Sequence, residues 1–237
     1  MIYRDSNYKK LNINENDLQY IARGSCAKVY LYNDIIFKKY NEDIPYFYRM
    51  DLKLFEILKQ IKNPHFIELY NIYTRNISFY EYMKTKKDIR YFDTLAYTAK
   101  YYPDDKVNIL FESKDYLLEN LYELEKLFNT FSNLGICVND TKYSNTILNR
   151  EKIVLIDPDL YYFDNTEEDL KKKNRILLST LIKNILINSS PDDEILNNFT
   201  KKIAEFTDFD FDSKTELSLQ LSRKLTSTNK PIEFFRK

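Results

Sequence analysis

The chain has no tryptophan, one histidine, two cysteines and two glycines in 237 residues. Each shortage narrows the chemistry. A Ser-His-Asp triad or a histidine-rich metal centre would have to run through His65. That residue sits in Asn63-Pro64-His65-Phe66, a loop entering an expected strand, where a surface or packing role is the plain reading. Cys26 and Cys137 do not make a disulfide framework. Gly24 and Gly135 stand out by their rarity, and each is expected to meet a backbone need. Charge of either sign is also missing in surplus. The 36 basic and 36 acidic residues cancel, so the basic excess of a nucleic-acid binder is absent. No apolar run approaches the ~20 residues of a membrane span, and Met1-Ile2-Tyr3-Arg4-Asp5-Ser6 lacks a signal-peptide core. A cytoplasmic protein is expected, with neither nucleic acid nor a membrane span in its interactions.

Hydrophobic residues make up 43 % of the chain and charged residues 30 %, a balance that supports a packed core. The length suits one large domain or two small lobes. Residues 18–40 read as three successive antiparallel strands: 19–22, then 28–32 after Arg23-Gly24-Ser25-Cys26-Ala27, then 35–40 after the turn signal Asn33-Asp34. Residues 47–61 carry a helical stripe at Met50, Leu54, Leu58 and Ile61, with Pro64 marking its end. Residues 66–73 and 94–101 read as further strands, and the charged stretch 75–93 between them could be an inserted hairpin.

Pro103-Asp104-Asp105 interrupts this pattern and is the candidate boundary between a β-rich half, 1–102, and a helical half, 103–237. Leu117, Leu121, Leu124, Phe128 and Phe131 share one face of a helix starting near Ser113. Gly135 stands just past it, where a left-handed cap is wanted. Thr166-Glu167-Glu168-Asp169 has the form of a capping signal and opens a helix through Ile176, Leu177, Leu181 and Ile185. Two more helices are expected, from about Asp192 and from Ser213, with Glu216 completing a capping box. The fold class is α+β.

The most informative stretch is Val138-Asn139-Asp140-Thr141-Lys142-Tyr143-Ser144-Asn145, followed by a short hairpin and Ile156-Asp157-Pro158-Asp159. Residues 145–148 read as a strand, 149–152 as a polar turn, and 153–156 as an apolar, β-branched return. A hairpin of this kind sets Asn145 and Asp157 side by side at its open end. An amide oxygen and a carboxylate there are hard ligands, the kind Mg²⁺ takes when phosphates complete its shell. Asp140 and Lys142 precede them on a loop. The layout is that of a phosphoryl-transfer site.

In order and spacing, residues 18–162 resemble the protein-kinase-like fold, a bilobal α+β architecture with an antiparallel N-terminal sheet and a helical C-terminal lobe. The family strand motif V-A-I-K matches Ile35-Ile36-Phe37-Lys38, and the resemblance assigns Lys38 to the α- and β-phosphates of ATP. Pleat alternation sets Lys38 with Ile36 on one face and Lys39 with Phe37 on the other. The phosphate loop G-x-G-x-x-G-x-V matches Ala22-Arg23-Gly24-Ser25-Cys26-Ala27-Lys28-Val29 with only its middle glycine kept. Gly24, Ser25 and Val29 are thereby implied to border the nucleotide; a hairpin turn that needs a glycine is the plainer alternative.

The catalytic loop H-R-D-x-K-x-x-N matches residues 138–145. The resemblance implies that Asp140 orients or deprotonates the attacking hydroxyl, that Lys142 neutralises charge on the moving phosphoryl group, and that Asn145 holds Mg²⁺. The D-F-G triplet matches Asp157-Pro158-Asp159. Asp157 keeps the metal role. Asp159 replaces the glycine, as is similar in aminoglycoside- and choline-kinase-like relatives, either as a further metal-associated acid or as a carboxylate capping local backbone. Backbone groups from Lys100 to Tyr102 fall where the family contacts adenine. The family's helix glutamate falls at Leu54, with Asp51 and Glu56 as the nearby acids. No A-P-E motif follows, and Asn139 replaces the arginine that answers a phosphorylated activation segment.

The expected function is therefore ATP- and Mg²⁺-dependent phosphoryl transfer to a hydroxyl, a protein Ser/Thr first and a small molecule second. A pseudokinase or nucleotide-binding module acting on a protein partner is the alternative. An unrelated α+β interaction protein, with these acids as caps and turns, is the third. Lys171-Lys172-Lys173 with Arg175 reads as a solvated helix face. Asp208, Asp210 and Asp212 lack the glycine and terminal glutamate of a calcium loop.

Overall fold

A computed structural model describes residues 3–4, 10–11, 15–45, 48–74, 94–103, 114–149, 151–164 and 167–189. Two two-residue strands, β1 (Tyr3–Arg4) and β2 (Lys10–Leu11), precede five longer ones: β3 (Gln19–Arg23), β4 (Ala27–Tyr32), β5 (Ile35–Tyr40), β6 (Leu69–Thr74) and β7 (Thr94–Lys100). They form one antiparallel sheet in the order β2-β1-β6-β7-β5-β4-β3. Asn33 and Asp34 take φ of 46° and 63°, the left-handed pair that a two-residue hairpin demands. This turn sets Val29 opposite Lys38, and the next pairing sets Lys38 opposite Tyr97. Strand β7 lies inside the sheet and is buried from Thr94 to Ala99. Phe37, Tyr73, Leu95 and Ala96 form a smaller buried cluster. Tyr40, Ile72, Tyr97 and Ala99 join the main core.

Helix α1 (Leu52–Leu58) is shorter than the apolar stripe predicts. The Asp51 carboxylate accepts from the Leu54 N–H at 2.8 Å and caps its start. Leu54, Phe55 and Leu58 are buried on the core side. Strand β6 begins later than predicted, because residues 65–67 pair elsewhere. His65 O accepts from Leu155 N at 2.9 Å, Ile67 N donates to Leu155 O at 2.9 Å, and Phe66 bridges Leu155 in parallel. These bonds tie the sheet half of the chain to the helical half.

That second half contains α2 (Lys114–Asn133), β8 (Ile136–Cys137), β9 (Thr146–Leu148), β10 (Ile153–Leu155), β11 (Tyr162–Phe163) and α3 (Glu167–Ser189). Leu121, Leu124, Phe128 and Phe131 of α2 are buried together, as their spacing predicts. Gly135 follows α2 at φ 69°, where a Cβ would be strained. Helix α3 differs from its predicted stripe. Its buried face runs through Leu170, Asn174, Leu178, Leu181, Ile182 and Ile185, while Ile176 is 47 % exposed. A polar Asn174 at the centre of that face masked the true period. Phe66, Phe131 and Tyr161 meet with ring centroids 5.2–6.4 Å apart, packing the residue-65 crossing against α2. No helix among the described residues is long and apolar enough to cross a membrane. The expectations for Asp104-Asp105, for 75–93, for Thr166, for the helices from Asp192 and Ser213, and for Asp208 to Asp212 lie outside the described residues.

The two glycines differ. Gly24 has no left-handed φ, and a Cβ there would sit 3.8 Å from the Ala27 carbonyl, an ordinary contact. The expected backbone need is met only at Gly135. Gly135→Ala should cost about 1–2 kcal/mol in urea unfolding, and Gly24→Ala should stay within about 0.5 kcal/mol of wild type.

His65 is buried, with Nδ1 2.9 Å from the Ile153 carbonyl. Burial pushes its imidazole below the ordinary value, and the carbonyl contact only partly offsets this. The stabilisation from neutral His65 is thus complete above pH 6.5 and fades as pH falls from there through the depressed folded-state value. Thermal melts from pH 7.5 down to 5 should show that loss, and His65→Gln should flatten it.

Candidate active site

The loop from Val138 to Asn145 is held from behind by one buried amide. Asn174 of α3 accepts from Val138 N at 2.9 Å and donates to Ile136 O at 2.8 Å and to Ser132 Oγ at 2.9 Å. The backbone around the loop's entry is therefore fixed before Asp140 is reached. Asp140 then turns into the left-handed region, with φ 59°. Asn145 closes the loop by donating its amide to Asp140 O at 2.9 Å and to Asp140 Oδ2 at 3.0 Å. Lys142 Nζ lies 2.6 Å from the other carboxylate oxygen, Oδ1. Because the Asn145 nitrogen faces Asp140, its side-chain oxygen, which takes only a long 3.5 Å contact from Ser144 Oγ, is the atom that can accept a cation.

Strands β9 and β10 form the predicted hairpin, with Leu148 opposite Ile153 and Thr146 opposite Leu155. Its turn is made by Asn149, whose Oδ1 accepts from Glu151 N at 3.1 Å and Lys152 N at 3.0 Å. Helix α2 clamps the same turn: Tyr116 Oη donates to Asn149 O at 2.8 Å, and Asn120 Oδ1 accepts from Ile153 N at 2.6 Å. At the open end Ile156 N donates to Asn145 O at 2.9 Å, which brings Asp157 beside the Asn145 position. Asn145 itself lies in a 3-10 turn, Tyr143–Asn145, and not within the strand. Asp157 has φ 62°, and the turn Pro158–Leu160 then buries Asp159. Apart from the Asn33-Asp34 turn, Asp140 and Asp157 are the non-glycine residues with positive φ among those described. Backbone strain of this kind concentrates at functional sites.

Lys38 reaches these acids from the sheet. Its ammonium is ion-paired with Asp157 Oδ1 and lies 2.9 Å from Asp159 Oδ2. Lys38 and Asp159 are each 8 % exposed. Burial pushes the Lys38 ammonium down, but the Asp159 and Asp157 carboxylates outweigh it and hold its pKa well above the ordinary value. Burial pushes the Asp159 carboxyl up to about 6; Lys38 opposes this rise and Asp157 adds to it. The Asp159 charge also bears on the buried phenols of Tyr40 and Tyr97, which burial first of all raises. Asp159 Oδ1 is buried without a hydrogen-bond partner among the described residues. Neither acid near α1 joins Lys38: Asp51 caps the helix, Glu56 is exposed, and Leu54 is in the core.

One cleft of about 720 Å³ is lined by Gly24, Ser25, Val29, Lys38, Lys100, Tyr102, Asp140, Lys142, Asn145, Asp157 and Asp159. Every residue given a nucleotide, metal or catalytic place by the resemblance thus lines the same space, while Asp51 and Glu56 do not. Lys39 does not; Lys38 is the strand lysine of the cleft. Gly24 N donates to Ala27 O at 2.8 Å, closing the β3–β4 turn over one side. Lys100 N donates to Glu68 O at 2.9 Å, so that amide is not available to a base. Lys171, Lys172, Lys173 and Arg175 are exposed on α3, away from the cleft lining. Sequence reasoning missed Asn174, Asn120 and the Tyr40–Tyr97 pair. Tyr40 alone carried a signal, as the residue two beyond Lys38 on the same strand face.

Chemically, the cleft offers one buried cation, two adjacent carboxylates, an amide oxygen and a loop carboxylate tethered to a second lysine. Such a set can hold a polyanion together with a hard divalent cation. Replacing Asn174 by Ala leaves the Val138 N–H and Ile136 C=O unpaired in the core. Denaturant unfolding should show a loss of about 1–3 kcal/mol. Comparison with known proteins returned no matching family model and no matching curated protein.

Proposed function

We propose that this chain is an ATP- and Mg²⁺-dependent phosphotransferase of protein-kinase-like, bilobal architecture. The observation that carries the reading is the convergence of five separated segments on one cleft: the 22–29 turn, Lys38, residues 100–102, the 140–145 loop and the 157–159 turn. These segments are spread along the chain, and nothing in their spacing obliges them to share a cavity. Lys38, on the third of three consecutive antiparallel strands, lines the same cleft as the acids after the β-hairpin, which supports the phosphate-binding place the resemblance implies for it.

The residues fit a magnesium ion. Asp159 Oδ1 is a buried oxygen with no partner among the described residues, and Asp157, Asp159 and Asn145 supply hard oxygens. Among the described residues no three His, Cys, Asp or Glu side chains form a metal cage. Mg²⁺ with nucleotide phosphates needs no such cage, since one or two carboxylates suffice. The ion, when bound, supplies charge neutralisation on the phosphates.

The chain's own groups do the positioning. Asp140, oriented by the Asn145 amide and by Lys142, is the group to align an acceptor hydroxyl and take up its proton. Lys142, on the exposed side of that carboxylate, offers positive charge where the phosphoryl group moves. Lys38 anchors phosphate oxygens. Tyr101 and Tyr102, with the Lys100 carbonyl, supply the base-side wall. A protein Ser/Thr hydroxyl is the preferred acceptor class and a small-molecule hydroxyl the second.

A second reading, nucleotide binding without transfer, is favoured by one observation: Lys38 is clasped by both hairpin acids and by no acid of α1. Thermal shift and labelled-phosphate assays separate the two. ATP with Mg²⁺ should raise the apparent melting temperature, and Asp140→Ala should keep that shift while losing transfer by about 100-fold or more. Binding with no transfer in the wild type selects the second reading. No shift at millimolar ATP·Mg²⁺ removes both.

A further inference from the structure

We propose that the Lys38 ammonium is a resident stand-in for a divalent cation, so that metal enters this cleft only in company with a nucleotide that draws Lys38 off the acids. This rests on the phosphotransferase reading, and adds to it an order of assembly.

Two carboxylates from one turn, Asp157 and Asp159, converge on a single cation supplied from a strand 119 residues earlier. The pair is asymmetric. The Asp159 side chain is 7 % exposed and that of Asp157 38 %, so one acid lies at the back of the site and the other opens to the cleft. The ammonium leaves one oxygen behind: Asp159 Oδ1 is buried and within hydrogen-bond geometry of no group among the described residues, with the neutral phenols of Tyr40 and Tyr97 beside the carboxylate. A primary ammonium has three donors on one atom, whereas a divalent ion gathers oxygens around its whole surface. The ammonium thus engages one oxygen of each acid and leaves Asp159 Oδ1 outside its reach.

A bare divalent ion approaching Asp157 meets the Lys38 charge at contact range, where like charges strongly oppose each other in a partly desolvated space. Lys38 has no second acid to retreat to on α1, since Asp51 is the helix cap, Glu56 is exposed and Leu54 is buried. The face of Tyr97 lies 5.6 Å from its nitrogen and cannot replace a carboxylate. A polyphosphate changes this balance by offering Lys38 an alternative anion. Both acids are then released to a metal that the phosphates also bind. By linkage, the factor by which nucleotide tightens metal binding equals the factor by which metal tightens nucleotide binding.

The test uses Mn²⁺ as the metal probe, with free ion read by electron paramagnetic resonance, and AMP-PNP as the nucleotide. Wild-type protein with Mn²⁺ alone should show no saturable uptake below millimolar concentration. Lys38→Met should bind Mn²⁺ alone about tenfold or more tightly than wild type, and should gain thermal stability from Mn²⁺ alone. Lys38→Arg, which keeps the cation, should behave as wild type. Stoichiometric Mn²⁺ uptake by the wild type at micromolar concentration without nucleotide overturns the proposal, even should Lys38→Met fail to fold. Equal Mn²⁺ affinities for wild type and a folded Lys38→Met overturn it as well. In either case AMP-PNP·Mn²⁺ binding by the wild type leaves the phosphotransferase reading standing, whereas its absence removes that reading too.

Discussion

A buried ammonium between two carboxylates organises this molecule. Lys38 belongs to the sheet, while Asp157 and Asp159 belong to the turn after the β9–β10 hairpin. A charge taken out of water must find its counter-charge, and here it can do so only if both halves of the chain are in place. The sheet register satisfies one side of that condition by setting Lys38 between Val29 and Tyr97. On the other side, the left-handed step at Asp157 and the short turn behind it deliver two acids to one point.

Asparagines do much of the holding around that point. Asn149 forms the far turn of the hairpin, Asn120 fixes its return strand, and Asn174 fixes the entry to the loop before Asp140. Asn120 and Asn174 pair backbone groups that would otherwise be buried unsatisfied, while Asn149 closes a turn nearer the surface. Rigid edges of this kind let Asp140 and Asp157 keep backbone angles that isolated peptides avoid. Residues 65–67 add a parallel bridge and two backbone bonds to Leu155, so the hairpin is continuous with the sheet side of the cleft.

Helix α1 has a reduced role in this arrangement. It is seven residues long and contributes Leu54, Phe55 and Leu58 to the core, but no acid to Lys38. Under the phosphotransferase reading, movement of α1 therefore cannot switch the lysine on and off through an ion pair. The lysine answers instead to the turn that carries both acids, and whatever binds those acids governs its position. Asp159, where the family has glycine, is a partner of Lys38.

Local chemistry was legible from the residues alone. The Asn33-Asp34 turn, the left-handed Gly135, the β9–β10 hairpin and the buried stripe of α2 all follow from short-range rules, because backbone torsions and side-chain periodicity are properties of neighbours in sequence. The candidate residues could be named for the same reason, by type and spacing. What spacing could not decide was partnership. That Lys38 would meet Asp159 and not an acid of α1, that His65 would bond the hairpin, that Asn174 would sit inward and Ile176 outward, and that Gly24 would need no special torsion depend on which surfaces pack. Packing brings together groups far apart along the chain, and a sequence carries no local mark of such a meeting.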